Sequence, residues 1–328
     1  MTRLITLQTT DPCFNLAAEE FIFSRTKDDA VILWQNKNAV IIGRNQNTLT
    51  EINQDSVEKY GVSVVRRITG GGAVFHDLGN INYSVITSQG EENTLDFKRF
   101  ASPIIDLLSS LGVKAEFSGR NDLLIDGMKF SGTAQHISDG RVLHHGTLLF
   151  SSDLERVGEV LTVNPEKIKS KAIQSVRSRV TNIKEHLPEN ADLTASEFIE
   201  LIAKYFADNM ECEVSCLSDS EITEIEKIAD SKYRTWQWNY GNSPKYSFSR
   251  SAYLSCGTVD IELEIIDGKI EKAAVYGDFF SVRPKEEFVS YLIGVEHRNE
   301  TLSLLFEKIN IKEYFVGVEP DELIKCFF

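Results

Sequence analysis

The chain has 328 residues, 42% of them hydrophobic and 26% charged, which suits a globular protein of one large domain plus a smaller one, or of two domains. A net charge of −14 argues against general nucleic-acid binding, and no apolar run approaches the length of a membrane span. Residues 1–7 lack the apolar core of a signal peptide, so a cytoplasmic location is expected.

In chain order, residues 15–24 have helix-like composition, with Leu16, Ala17, Glu20, Phe21 and Phe23 leaving a mostly apolar face. The runs 31–34 and 39–43, joined by Gln35-Asn36-Lys37-Asn38, predict a hairpin. Residues 52–60 predict a short helix stopped by Gly61. A β-branched run, 62–65, then leads into Arg66-Arg67-Ile68-Thr69-Gly70-Gly71-Gly72-Ala73-Val74-Phe75-His76-Asp77. Glycines let backbone approach a ligand closely, and successive exposed N–H groups make an anion-binding concavity. Arginines that never lose their charge stand just before them. The stretch reads as a phosphate or carboxylate site; the plain alternative is a hairpin loop with two solvated arginines.

Asp77-Leu78-Gly79-Asn80 is turn chemistry, and Ile81, Tyr83 and Val85 alternate along a returning strand. Residues 95–111 predict a helix with Pro103 inside it and Gly112 at its end. Asp126-Gly127 between apolar runs predicts a tight hairpin with positive φ at both turn residues. Residues 142–150 read as a buried strand. Ser152-Asp153-Leu154-Glu155 and Thr194-Ala195-Ser196-Glu197 read as capping boxes, and residues 221–233 as a helix capped by Ser218. A boundary is expected near Ser243, giving domains 1–243 and 244–328. Beyond it, Val259, Ile261, Leu263 and Ile265 alternate with acids into an Asp267-Gly268 turn, while Pro284 and Pro320 open helices. Hairpins mixed with separate helices indicate an α+β fold.

Lys129, close behind the Asp-Gly turn, is a point charge suited to a phosphoryl oxygen; alternatively it blunts a sheet edge. His76 and Asp77 could form an acid/base pair. Strand neighbours point to opposite faces, however, which favours a packed histidine and a turn-capping aspartate. The same alternation argues against His144 and His145 sharing a metal. Asp122 could hold magnesium or be an ordinary turn residue. Five cysteines (Cys13, Cys212, Cys216, Cys256, Cys326) are scattered and odd in number, so they read as reduced packing thiols. Neither a Gly-x-x-x-x-Gly-Lys-[Ser/Thr] loop nor a Gly-x-Ser-x-Gly elbow is present.

The stretch 66–80, Gly119-Arg120-Asn121-Asp122-Leu123, 129–135, 145–149 and 171–181, in this order and spacing, resemble the lipoate–protein ligase A family over nearly the whole chain. The resemblance implies a biotin/lipoate-ligase catalytic domain of mixed sheet with flanking helices and a small C-terminal domain. It implies activation of lipoate by MgATP to lipoyl-adenylate, then transfer to a lysine of an acceptor. The acceptors it implies are 2-oxoacid dehydrogenase E2 subunits and the glycine cleavage H protein; separately from the resemblance, a monomer is expected. By the same resemblance, Arg67, Gly72, Ala73, Val74, Phe75 and Lys129 contact ATP, and Lys129, Arg67 and His76 contact lipoate. Lys129 becomes the catalytic residue, while Asp122 stays the candidate magnesium ligand. Gly71, Asn80, Asn121, Asp122, Ala134, His145 and Thr147 complete the expected site. Val40, Ile41, Val74 and Phe75 are expected walls of an acyl tunnel. The rivals are an acyl-carrier-dependent octanoyltransferase, some of which use a cysteine found in none of these motifs, and a non-catalytic binder of lipoyl or nucleotide groups.

Overall fold

Val- and Ile-rich runs between turn residues form the strands of the computed structural model, which describes residues 2–88, 97–118, 121–161, 180–189, 192–241, 246–277, 279 and 281–328. The chain divides into two units, Met1–Arg44 with Glu51–Thr235, and Asn45–Thr50 with Trp236–Phe328. Among the described residues no helix is long and apolar enough to cross a membrane.

The first unit is built on eight strands: β1 (Thr2–Thr6), β2 (Ala30–Trp34), β6 (Asn80–Ser88), β7 (Ala115–Ser118), β8 (Asp122–Ile125), β9 (Met128–Ser138), β10 (Arg141–Leu149) and β11 (Cys212–Ser215). Their order is β11-β1-β2-β6-β10-β9-β8-β7. β1 runs parallel to β11 and β2, and the rest pair antiparallel, a mixed sheet. β3 (Ala39–Ile42), β4 (Ser63–Arg66) and β5 (Val74–His76) form a separate sheet in the order β4-β3-β5.

The hairpin predicted for 31–43 does not form. Both edges of β2 are taken, by β1 and β6, so β3 pairs with β4 and β5 instead. β6 likewise returns from the Asp77 turn into the larger sheet rather than onto β5. The Asp-Gly hairpin is as expected, with φ of 49° at Asp126 and 77° at Gly127.

Alternation sorts the large sheet into two faces. Leu33, Ile81, Tyr83, Leu148 and Phe150 pack with Leu107, Leu108, Phe198, Ile202 and Phe206 of the helices Phe97–Ser110 and Ala195–Asn209. The latter opens with the predicted capping box of Thr194 and Glu197. The opposite face carries Asn82, Ser84, His145 and Thr147 and meets the helix Pro12–Arg25, whose Glu19 bonds to Ser84 and His145. Before the short helix Leu154–Val160 the cap is Asp153, which accepts from Glu155 N and Arg156 N, and not Ser152 as predicted.

The second unit holds the antiparallel sheet β12 (Tyr246–Leu254), β13 (Gly257–Ile266) and β14 (Lys269–Gly277). Val259, Ile261, Leu263 and Ile265 pack against Phe288, Leu302 and Phe306 of the helices Lys285–Leu292 and Asn299–Lys308.

Candidate functional site

A row of cross-strand partners crosses the face of the sheet that meets the helix Pro12–Arg25. Trp34 stands opposite Asn82, and Asn82 opposite Thr147. Thr147 Oγ1 accepts from the Gly132 N–H at 3.2 Å. The row lines a cavity of about 130 Å³ that the glycine loop, Ile41, Val74 and His76 help to enclose.

Lys129 stands at one end of this row because of a bulge. Leu123 pairs with Ser131 but Leu124 with Lys129, so Phe130 is an extra residue in β9. A bulge re-aims the side chains beside it. Without it Lys129 would share the face of Ser131 and Thr133; with it Lys129 joins Gly132 and Ala134 on the cavity face. A Cβ built on Gly132 would lie 2.9 Å from Lys129 Nζ, so the missing side chain is the space the lysine occupies. Lys129 Nζ is 2.7 Å from Asp122 Oδ1, both side chains being about two-fifths exposed. Thr181 N donates to Lys129 O at 2.9 Å, and Val180 bridges Lys129 in parallel, fixing the backbone beneath the amine.

The glycine loop is shaped by Arg67. Its Nη2 donates to Gly70 O (2.7 Å) and Gly72 O (2.9 Å), its Nη1 to Ile41 O (3.1 Å) and its Nε to Thr69 Oγ1 (2.9 Å). Gly71 has φ of 97°, and a Cβ there would lie 2.9 Å from Arg67 Nη2. Burial lowers the Arg67 pKa to about 10, against the raising influence of Glu19. Arg66 is also buried, its Nη1 donating to Gly43 O and Arg44 O. The two arginines therefore stand inside the fold rather than in solvent.

From Arg67 a buried chain runs back into the sheet. Thr69 Oγ1 lies 2.8 Å from His145 Nε2, and His145 Nδ1 lies 2.8 Å from Glu19 Oε1. Ser84 Oγ donates to the same Glu19 oxygen at 2.6 Å and accepts from Trp34 Nε1 at 2.9 Å. With Nδ1–H given to Glu19, Nε2 accepts from the Thr69 hydroxyl, and every polar atom named in the chain has a partner. His76 is buried too; burial, then Arg67 and His145, push its pKa down to about 3.

Of the residues singled out in the sequence, Arg67, Gly71, Gly72, Ala73, Val74, His76, Asn121, Lys129, Ala134, His145 and Thr147 line the cavity together. Phe75, Asn80 and Asp122 are not among its walls. Phe75 is buried on the far side of β5, Asn80 Nδ2 donates to Asn82 Oδ1, and Asp122 reaches the cavity through Lys129. Of the four expected tunnel residues, Ile41 and Val74 line it, whereas Val40 is buried behind β3 as Phe75 is behind β5. Asp77 caps its turn, Oδ1 accepting from Gly79 N and Asn80 N. Gly119, Arg120 and 171–179 lie outside the described residues. Sequence reasoning missed Leu16, Trp34 and Asn82 as walls, and Glu19. A glutamate within an otherwise apolar helix, and asparagine and serine alternating with Ile81, Tyr83 and Val85, were the available signals.

A cation over a glycine at one end of a cleft and aromatic and apolar walls at the other suit an amphipathic anion. Among the described residues no three His, Cys, Asp or Glu side chains are grouped to hold a metal ion. None of the five cysteines lines the cavity.

Two family models match: the lipoyl protein ligase A/B catalytic domain over residues 11–207, and the bacterial lipoate protein ligase C-terminus over residues 243–327. The chain is 42% identical over 318 residues to lipoate–protein ligase 1 of Staphylococcus aureus, covering 96% of each chain. It is 40% identical over 326 residues to lipoate-protein ligase LplJ of Bacillus subtilis, covering 97% of each. Its structure is similar to that of the bipartite lipoate protein ligase of Thermoplasma acidophilum, studied with its E2 lipoyl domain (TM-score 0.66, 29% identity, 75% of this chain and 98% of that one). It is also similar to a lipoate-protein ligase A bound with ATP (TM-score 0.63, 26% identity, 74% of this chain and 99% of that one).

Proposed function

The chain belongs to the lipoyl protein ligase A/B family, with the bacterial ligase C-terminal domain following the catalytic one, and on that premise we propose how its cavity performs ATP-dependent lipoate ligation. The observation that carries the reading is Lys129, whose amine lies over Gly132 at one end of a cleft flanked by the glycine loop.

Lipoate is a carboxylic acid and is ionised at neutral pH, so adenylate formation needs no general base. It needs two anions brought together. Lys129 supplies the charge that offsets their repulsion and the charge developing at phosphorus, and Gly71-Gly72-Ala73 presents backbone to the nucleotide. Arg67 acts mainly by fixing the loop, since its donors serve Gly70, Gly72, Ile41 and Thr69, while its buried charge biases the cleft toward anions. The methylene chain lies along Ile41 and Val74 toward Trp34, each buried methylene contributing about 0.8 kcal/mol. Magnesium enters with ATP as part of the substrate. Asp122, which pairs with Lys129 in this structure, would be the carboxylate to hold that magnesium ion, and the ion would supply positive charge against the phosphates.

The adenylate then passes its lipoyl group to a lysine of a lipoyl domain; the acceptors proposed are E2 subunits and the glycine cleavage H protein. Residues 1–243 carry the catalysis, 244–328 form the accessory domain, and the enzyme works as a cytoplasmic monomer. Purified protein with lipoate and MgATP, and no acceptor, should exchange labelled pyrophosphate into ATP only when lipoate is present. Exchange independent of lipoate, or none with or without a lipoyl domain, would overturn the reading.

A further inference from the structure

β10 runs beside β9 only from Thr133 to Ser138. At Lys129, nearer the Asp126-Gly127 turn, Val180 and Thr181 take its place, and Thr181 gives its N–H to Lys129 O at 2.9 Å. On that side the backbone beneath the amine, next to the bulge, is as steady as these two residues. The chain just after them is well anchored. Ser152 N donates to Asn182 Oδ1 at 2.8 Å, Asn182 Nδ2 donates to Ser152 O at 3.1 Å, and Lys184 N donates to Phe150 O at 3.0 Å. Ile183 is buried in the core.

The side chain of Thr181 meets His186, the last residue of the short 3₁₀ helix Ile183–His186. Thr181 Oγ1 lies 2.8 Å from His186 Nε2. The other ring nitrogen, Nδ1, lies 3.4 Å from Asp126 Oδ2 in the turn that precedes Lys129. In the neutral ring that carboxylate favours the proton on Nδ1, so Nε2 accepts from the Thr181 hydroxyl. Glu185 Oε2, 3.4 Å from the same hydroxyl, is the weaker acceptor. An aspartate, a histidine and a hydroxyl in this order also make up a hydrolytic triad. Thr181 is only 2% exposed and is not a wall of the cavity, so its oxygen is not presented to a substrate. The arrangement is a brace instead. The Asp126 contact stands in solvent and contributes little, which leaves the Thr181 bond to carry the effect.

We propose that His186 is a positioning residue for adenylate formation: by holding Thr181 it holds the Lys129 backbone, and with it the direction of the amine into the cavity. The inference rests on the ligase reading and adds to it. A misplacement of about 1 Å at a reacting group costs about a hundredfold, and the loss of one hydrogen bond two links away should cost less, about tenfold in kcat. The groups that hold the acyl chain and the nucleotide are not touched, so KM should stay within about twofold.

Lipoate-dependent pyrophosphate exchange is measured first on the wild-type protein; with none there, the ligase reading fails and the proposal fails with it. With exchange established, His186→Leu at equal folded concentration should lower kcat about tenfold at nearly constant KM. His186→Gln, whose amide reaches where Nε2 stood, should recover most of that loss. Thr181→Val should show a similar loss, and the double variant His186→Leu with Thr181→Val should lose no more than the worse single one, because the two residues act through one bond. A leucine variant at the wild-type rate, a glutamine variant no better than leucine, or losses that multiply in the double variant overturn the proposal. Should the leucine variant not fold, His186→Gln is compared with His186→Asn, whose shorter amide cannot reach Thr181. Equal rates in those two overturn the proposal, and a several-fold advantage for glutamine supports it.

Discussion

Replacing Glu19 with leucine tests the buried chain that ties the glycine loop to the sheet. The change removes the acceptor of two buried donors, Ser84 Oγ–H at 2.6 Å and His145 Nδ1–H at 2.8 Å. Each orphaned donor costs about 1–3 kcal/mol, so about 2–6 kcal/mol in all, before the added apolar contact offsets part of it. Against a total stability of about 5–15 kcal/mol, a net loss near 3 kcal/mol is readily seen. Glu19→Gln keeps an oxygen for both donors and should cost about 1 kcal/mol. Urea unfolding followed by tryptophan fluorescence is the assay, because Trp34 Nε1 donates to Ser84 in the same chain. A leucine variant within about 1 kcal/mol of wild type, or one matching the glutamine variant, would refute the reasoning.

Gly132→Ala places a Cβ 2.9 Å from Lys129 Nζ and 3.1 Å from its Cε. The flexible amine can swing aside, so the unfolding temperature should change little while the exchange rate falls about ten- to a hundredfold. Wild-type exchange would show that the amine's position over Gly132 is immaterial. A third expectation concerns pH. His76 and His144 are both held near pKa 3, burial being the main cause, whereas in the unfolded chain each titrates near 6.5. Between those values the unfolded state binds more protons, so stability is full above about pH 6.5 and falls as pH drops toward 3, by up to about 2.7 kcal/mol per pH unit for the pair. Unfolding midpoints that stay flat from pH 7 to 4 would contradict this.

Most of the α+β architecture was readable because its signals are local. The Asp126-Gly127 turn demands positive φ at two positions, and the Thr194 box needs only four consecutive residues. The site was readable as a set of motifs but not as a geometry. Lys129 owes its direction to a bulge at Phe130, and nothing in Met-Lys-Phe-Ser-Gly marks an extra residue until β8 is laid beside it. Glu19 and His145 are 126 positions apart, so their bond depends on the sheet that joins them. The failed hairpin after β2 has the same origin. Gln35-Asn36-Lys37-Asn38 is adequate turn chemistry, but β1 and β6 occupy both edges of β2, and Asn36 is drawn instead to Asn15 and His76.

The central claim is that the Lys129 amine brings carboxylate and phosphate together. Its most direct test compares lipoate-dependent pyrophosphate exchange in wild-type protein and Lys129→Ala at equal folded concentration. With Lys129 half-exposed and paired only at its tip to Asp122, the variant should unfold at nearly the wild-type temperature and form no detectable lipoyl-adenylate. Exchange near the wild-type rate in the folded variant would contradict the account.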